Sequence, residues 1–96
     1  MLEIKPNCEN CGKKLSNDSD EAMICSFECT FCAHCVNDIL KNVCPNCGGG
    51  FEKRPTRPKN KLDKNPVSTK IINKPVDFEK FKILQNSLID VDPRKR

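Results

Sequence analysis

The chain has no tryptophan, no tyrosine, five phenylalanines and a single histidine in 96 residues. A domain this short cannot stabilise itself by apolar burial alone, and with so few large side chains its core must be thin. Long hydrophobic runs are missing too. Nothing approaches the ~20 consecutive apolar residues of a membrane-spanning helix, and the opening MLEIKPNCEN lacks the apolar stretch of a secretory signal. These absences lead to the expectation of a soluble, cytoplasmic protein with reduced thiols. Cysteine is confined to the first half: Cys8, Cys11, Cys25, Cys29, Cys32, Cys35, Cys44 and Cys47, with none afterwards. The chain therefore divides into two regions of different chemistry.

Eight clustered thiols in a reducing compartment point to metal. A thiolate cage stands in for the missing core, and its binding energy is folding energy. The alternative of four disulfides needs an oxidising environment, and a disulfide within a C-x-x-C pair closes only a very short loop typical of redox sites. In order, the spacing is C-x2-C, x13, C-x3-C, x2, C-x2-C, x8, C-x2-C, four pairs that make two sites of four. NCENCGKKL and VCPNCGGG read as knuckles, tight turns in which the glycine after the second cysteine lets backbone N–H groups point at sulfur. Between them, AMICSF is apolar enough for a short strand, Ala22 to Phe27. TFCAHCVNDILKN, Thr30 to Asn42, carries apolar residues near helical spacing. Knuckle, hairpin, then a helix with a ligand pair in its first turn is the treble-clef layout. The fold class expected is a small α+β zinc-stapled domain.

Four cysteine pairs, TFC ahead of the third and CPNCG at the last, resemble a RING finger in an all-cysteine version. In RING fingers the pairs interleave as a cross-brace, first with third and second with fourth. The resemblance thus implies Cys8, Cys11, Cys32 and Cys35 as site one, Cys25, Cys29, Cys44 and Cys47 as site two, and two Zn2+ per chain. Sequential pairing, as in LIM domains, is the rival, and spacing alone does not decide connectivity. A second resemblance covers nearly the whole chain. MLEIKPNCENC, AMICSFECTFCAHCVNDIL, NVCPNCGGGF and RPKNKLDKNPVSTKI are similar to the small bacterial proteins grouped as domain of unknown function 1272. That resemblance implies a bacterial source and a unit extending past the last cysteine, and it supplies no activity.

With eight sulfurs filling eight ligand positions, His34 is surplus, a helix residue facing solvent or hydrogen-bonding a thiolate. Ligase function, as in many RING fingers, would call for an apolar residue inside the first pair, a proline inside the last and a basic residue after it. Pro45 matches, whereas Glu9, Asn10 and Gly48 do not, and Pro45 is explained by shaping its knuckle. An iron–sulfur electron carrier is a further alternative, since CTFCAHC followed by CP resembles part of the bacterial ferredoxin run. The last gap is eight residues where that run has three. No enzyme is expected: closed tetrathiolate sites leave no position for water, and no phosphate loop or nucleophile–base pair stands out. No small-molecule substrate is implied either.

From Glu52 the composition shifts. The metal module is expected to span 1–51 and a basic, proline-containing extended segment 52–76, which can wrap that module. An amphipathic helix is expected over 77–91, with Asp77 as N-cap and Val76 stapling to Phe81, then a basic end, 92–96. Its stripe of Phe78, Phe81, Leu84 and Leu88 either packs on its own module or meets a partner. Charge divides at the same place. Residues 1–50 carry four lysines against seven acidic groups, and 51–96 carry thirteen basic residues against six. Two zinc tetrathiolates, each about −2, would bring the whole to roughly zero. Acidic module and basic tail can simply attract each other. The alternative is that KRPTRPKNK touches the phosphates of RNA or DNA, although no aromatics are interleaved for stacking. The role expected is a macromolecular interaction module with a protein partner, nucleic acid being the alternative.

Overall fold

The computed structural model describes all 96 residues, Met1 to Arg96. Residues Ala22–Ile24 form strand β1, Thr30–Cys32 strand β2 and Glu52–Lys53 strand β3. The sheet has the order β2-β1-β3, antiparallel throughout. Ala22 faces Cys32 and Ile24 faces Thr30 across the hairpin, while Met23 faces Lys53. The strands are short because the cysteine-bearing turn 25–29, with Glu28 at a left-handed φ of 65°, separates β1 from β2, and Gly48 to Gly50 and Pro55 bound β3. The third strand lies in the segment expected to be merely extended, so the sheet continues past residue 51. Its exposed glutamate and lysine conceal it, since an edge strand needs only backbone pairing.

The helix expected over Thr30 to Asn42 is shorter than expected, covering residues 33–39. Thr30, Phe31 and Cys32 belong to β2, and the helical turn that follows, Cys35–Ile39, is π-wound. Leu40 N–H donates to the carbonyl of Cys35, five residues back, at 2.7 Å. Lys41 and Asn42 then take left-handed φ values of 53° and 59°, which ends the turn abruptly. Cys32 thus sits on a strand and Cys35 on the helical turn.

Helix α1 spans Phe78–Leu88, with Asp77 Oδ1 accepting from the N–H groups of Glu79 and Lys80. It packs on its own module. Phe81 is buried, Leu84 and Leu88 lie against the core, and Gln85 Nε2 donates to the carbonyls of Ile39 and Leu40, both at 3.0 Å. Gln85 therefore satisfies carbonyls at the end of the π-wound turn. The stripe considered for a partner is spent internally, apart from Phe78, which is half exposed.

The result is a small α+β fold built on one sheet and one helix. Five of the thirteen residues in its buried cluster are cysteines, and the aromatic contribution is limited to Phe31, Phe51 and Phe81. Phe31 and Phe51 meet edge to face at 5.5 Å. Carbon packing of this extent is meagre for 96 residues, so thiols occupy the centre of the domain.

Basic residues of the tail serve as clamps. Arg54, only 3% exposed, donates to the carbonyls of Lys5, Leu15 and Ser16. Arg57 donates to the carbonyls of Leu2, Asn65 and Pro66, and Arg96 to those of Val91, Asn42 and Gly48. Residues 68–76 run alongside the N-terminal segment: Ser68 N–H bonds Ile4 O, Asn7 Nδ2 bonds Ile72 O and Lys74 N–H bonds Glu9 O. The proline-containing segment wraps the module.

Candidate metal centre

The first knuckle is closed by Cys8 N–H donating to Lys13 O and Gly12 N–H donating to Cys8 O, and an isolated bridge joins Asn7 to Lys14. The last is closed by Gly48 N–H to Cys44 O and Cys44 N–H to Gly49 O, both 2.8 Å. Gly12 and Gly48 share a φ of 78°, the left-handed conformation that favours glycine after the second cysteine. A Cβ on Gly48 would also fall 2.7 Å from Leu88 Cδ1, so this knuckle is a seat for α1. Backbone N–H groups turn toward sulfur: Cys11 to Cys8 Sγ, Phe27 to Cys25 Sγ and Gly49 to Cys47 Sγ, at 3.4 to 3.5 Å.

Two groups of sulfurs converge. Cys8, Cys11, Cys32 and Cys35 have all four Sγ atoms within 4.8 Å of one another, and so do Cys25, Cys44 and Cys47. The first draws on the first knuckle, the end of β2 and the π-wound turn; the second on the hairpin and the last knuckle. Sequential grouping would have set Cys25 beside Cys8 and Cys11, whereas it lies with Cys44 and Cys47. Cys29 falls outside that mutual distance. Its thiol nonetheless borders Cys25, and Asn46 Nδ2 donates to it at 3.4 Å. All eight cysteines are free thiols, with Cys8–Cys35 and Cys11–Cys32 Sγ separations of 3.8 and 3.7 Å, far longer than the ~2.05 Å of a disulfide. The two groups can hold metal ions.

Burial pushes up the thiols of Cys29, Cys32, Cys35 and Cys44, and neighbouring cysteines reinforce the effect. Cys11 moves the other way. Its modest burial is outweighed by the Lys13 N–H and by hydrogen bonds with the surrounding thiols. Without a cation, burial favours the protonated thiols of Cys29, Cys32, Cys35 and Cys44; a cation bound there displaces those protons. His34 stands apart from both groups. It is exposed, and its Nδ1 lies 2.8 Å from Asp38 Oδ2.

Three residues around the sulfurs went unassigned in the sequence. Asn10 and Asn46 occupy the same place in CENC and CPNC, a repetition that marks them, and each donates to a sulfur from another cysteine pair: Asn10 to Cys35, Asn46 to Cys29, both at 3.4 Å. Glu9 is buried inside the first knuckle. Its Oε2 accepts from the Thr30 N–H at 2.6 Å and from Lys5 Nζ at 3.3 Å, fastening the knuckle to β2. Nothing in the sequence distinguishes that carboxylate from a solvated one.

No helix is long and apolar enough to cross a membrane. Among known proteins, no solved structure matches the chain. An uncharacterized protein of Rhizobium meliloti (strain 1021) is 53% identical over 75 residues, 78% of this chain and 89% of that protein. A match of that length runs past residue 57 into the proline-containing segment. Residues 1–57 match the family described as protein of unknown function (DUF1272), and the chain belongs to that family.

Proposed function

We propose that the protein is a zinc-stapled interaction module. Cys8, Cys11, Cys32 and Cys35 would hold one ion, and Cys25, Cys29, Cys44 and Cys47 the other, in a RING-like, treble-clef cross-brace. The observation that carries this reading is the sulfur spacing. Four thiolates about 2.3 Å from a central zinc in a tetrahedron lie about 3.8 Å apart, and Cys8–Cys35 and Cys11–Cys32 in the first group are separated by 3.8 and 3.7 Å. Cys29 completes the second set on the parallel between its bond from Asn46 and that of Cys35 from Asn10. An iron–sulfur cluster would interpose several atoms between thiolates and spread them further, so the spacing favours a single ion per group.

Sites closed by four thiolates are structural, which leaves recognition of another macromolecule as the role and catalysis outside it. A cytoplasmic setting suits the free thiols. Protein is favoured over nucleic acid as partner because three of the four arginines clamp backbone carbonyls of their own chain, which removes them from the phosphate-binding inventory.

The test is elemental analysis with a visible spectrum on protein purified without added metal. Two zinc per chain and a colourless solution support the reading. Iron with inorganic sulfide would overturn it, and a single zinc would remove the second site. A salt-dependent shift with random RNA or DNA would move the partner to nucleic acid.

A further inference from the structure

The amide of Asn10 is shared. Its Nδ2 donates to Cys35 Sγ at 3.4 Å, and its Oδ1 accepts from the N–H of Val76 at 3.0 Å, next to the Asp77 cap of α1. The same knuckle receives the tail twice more, through Lys74 N–H on Glu9 O at 2.7 Å and through Asn7 Nδ2 on Ile72 O at 2.8 Å. Asn7, Glu9 and Asn10, three residues beside and between Cys8 and Cys11, are therefore also the rail on which residues 72–76 lie. Further along, Gln85 binds the carbonyls that end the π-wound turn bearing Cys35. Asn46 hydrogen-bonds Cys29 and no residue of the tail.

We propose that Asn10 couples the first sulfur group to the C-terminal strap, residues 72–88: the docked strap tightens the metal held by Cys8, Cys11, Cys32 and Cys35, and that metal holds the strap down. This rests on the metal-binding reading above. The physical route is short. A thiolate on metal is a stronger acceptor than a thiol, so an occupied site orients the Asn10 amide and fixes its Oδ1 toward Val76. A docked strap in turn holds the amide donor on Cys35. Linkage requires both directions to have the same size. The second group lacks this hydrogen bond and meets the strap only through the packing of Leu84 and Leu88 near Gly48, so its metal responds to the strap less than the first group's does.

The experiment uses the full zinc-loaded chain. Zinc transfer to a chromophoric chelator is followed while pulsed alkylation and mass spectrometry identify which cysteines become reactive. Val76→Pro removes the N–H that Asn10 accepts, and Phe81→Ala loosens the strap by packing alone. Each is expected to release one of the two zinc equivalents at least about fivefold faster, with Cys8, Cys11, Cys32 and Cys35 alkylated first. In an Asn10→Ala background, where both arms of the amide are gone, Val76→Pro adds nothing further. Asn10→Ala also speeds proteolysis of the strap, whereas Asn46→Ala weakens the second group and leaves the strap protected. Release at the wild-type rate, equal acceleration of both groups, or additive effects in the Asn10→Ala background would overturn the coupling while leaving the two-site reading intact. Protein that holds no metal would overturn both.

Discussion

Replacing Arg54 tests whether the tail is part of the fold. Its guanidinium is buried and donates to three carbonyls on two separate N-terminal stretches, at 2.8 Å to Lys5, 3.4 Å to Leu15 and 2.7 Å to Ser16. No carboxylate joins it, and burial pulls its pKa down. Hydrogen bonds from a charged donor are worth about 1.5–3 kcal/mol each, and the 3.4 Å contact belongs at the bottom of that range. Against this stands the desolvation of a buried cation, several kcal/mol, aggravated by a buried Nε with no partner. Arg54→Met keeps the apolar stem, removes the cation and strands the three carbonyls. The net loss is expected to be about 2–4 kcal/mol. For a chain of this size that is a fall in melting temperature of roughly 10–20 °C. Arg54→Lys retains the charge without the planar fork and falls between the two. Urea unfolding followed by circular dichroism, with free zinc buffered identically for all variants, measures the difference. A methionine variant within about 0.5 kcal/mol of the parent would refute the clamp and return the arginine to the free basic tail.

Cys32→Ser removes a buried sulfur from the first group and is expected to unfold the module, read as loss of one or both zinc equivalents together with collapse of the far-ultraviolet dichroism. His34→Ala breaks only an exposed contact to Asp38, so zinc content stays the same and stability moves by less than about 0.5 kcal/mol; loss of a zinc equivalent would refute the all-sulfur assignment. Gly48→Ala meets both a left-handed φ and Leu88 at 2.7 Å, and is expected to destabilise by about 1–3 kcal/mol while exposing α1 to protease. Apparent zinc affinity should rise with pH. Burial holds the thiols of Cys29, Cys32, Cys35 and Cys44 protonated in the metal-free fold, so that state binds more protons than the loaded one, and raising pH favours loading. Chelator competition between about pH 6 and pH 8 measures the slope, and a flat profile would contradict thiolate ligation.

The sulfurs were legible in the sequence because short, repeated C-x-x-C spacings set them apart as residues with little other reason to cluster. Pairing them rested on a resemblance, since C-x-x-C spacing fixes a knuckle and says nothing of which knuckle it faces. The Asp77 cap was legible too, because an N-cap acts within one turn and leaves a local mark. What the sequence concealed is long-range. The strand at Glu52–Lys53 pairs through backbone alone, so its charged side chains read as linker. The run Thr30–Asn42 carries helical spacing, yet pairing with β1 captured its first three residues, and five-residue hydrogen bonding reshaped the rest.

The arginines show why charge pattern misleads in a thin-cored protein. A basic run is ordinarily a solvated face, and Arg54 and Arg57 sit in such a run with two prolines between and beside them. Knuckles and short strands, however, leave many backbone carbonyls without a ladder partner, and a small core cannot hide them cheaply. Arginine answers that need with five donors on a planar group and a stem that covers apolar surface. Arg54 and Arg57 between them bridge the N-terminal segment, the loop after the first knuckle and the proline-containing segment. Arg96 does the same for the turn before the last knuckle and for Gly48 within it. The sulfur groups close each knuckle's interior, and the tail's cations donate to backbone carbonyls that sulfur, itself an acceptor, cannot satisfy. Excess positive charge in the tail then reflects the irregular backbone of the sulfur-rich half.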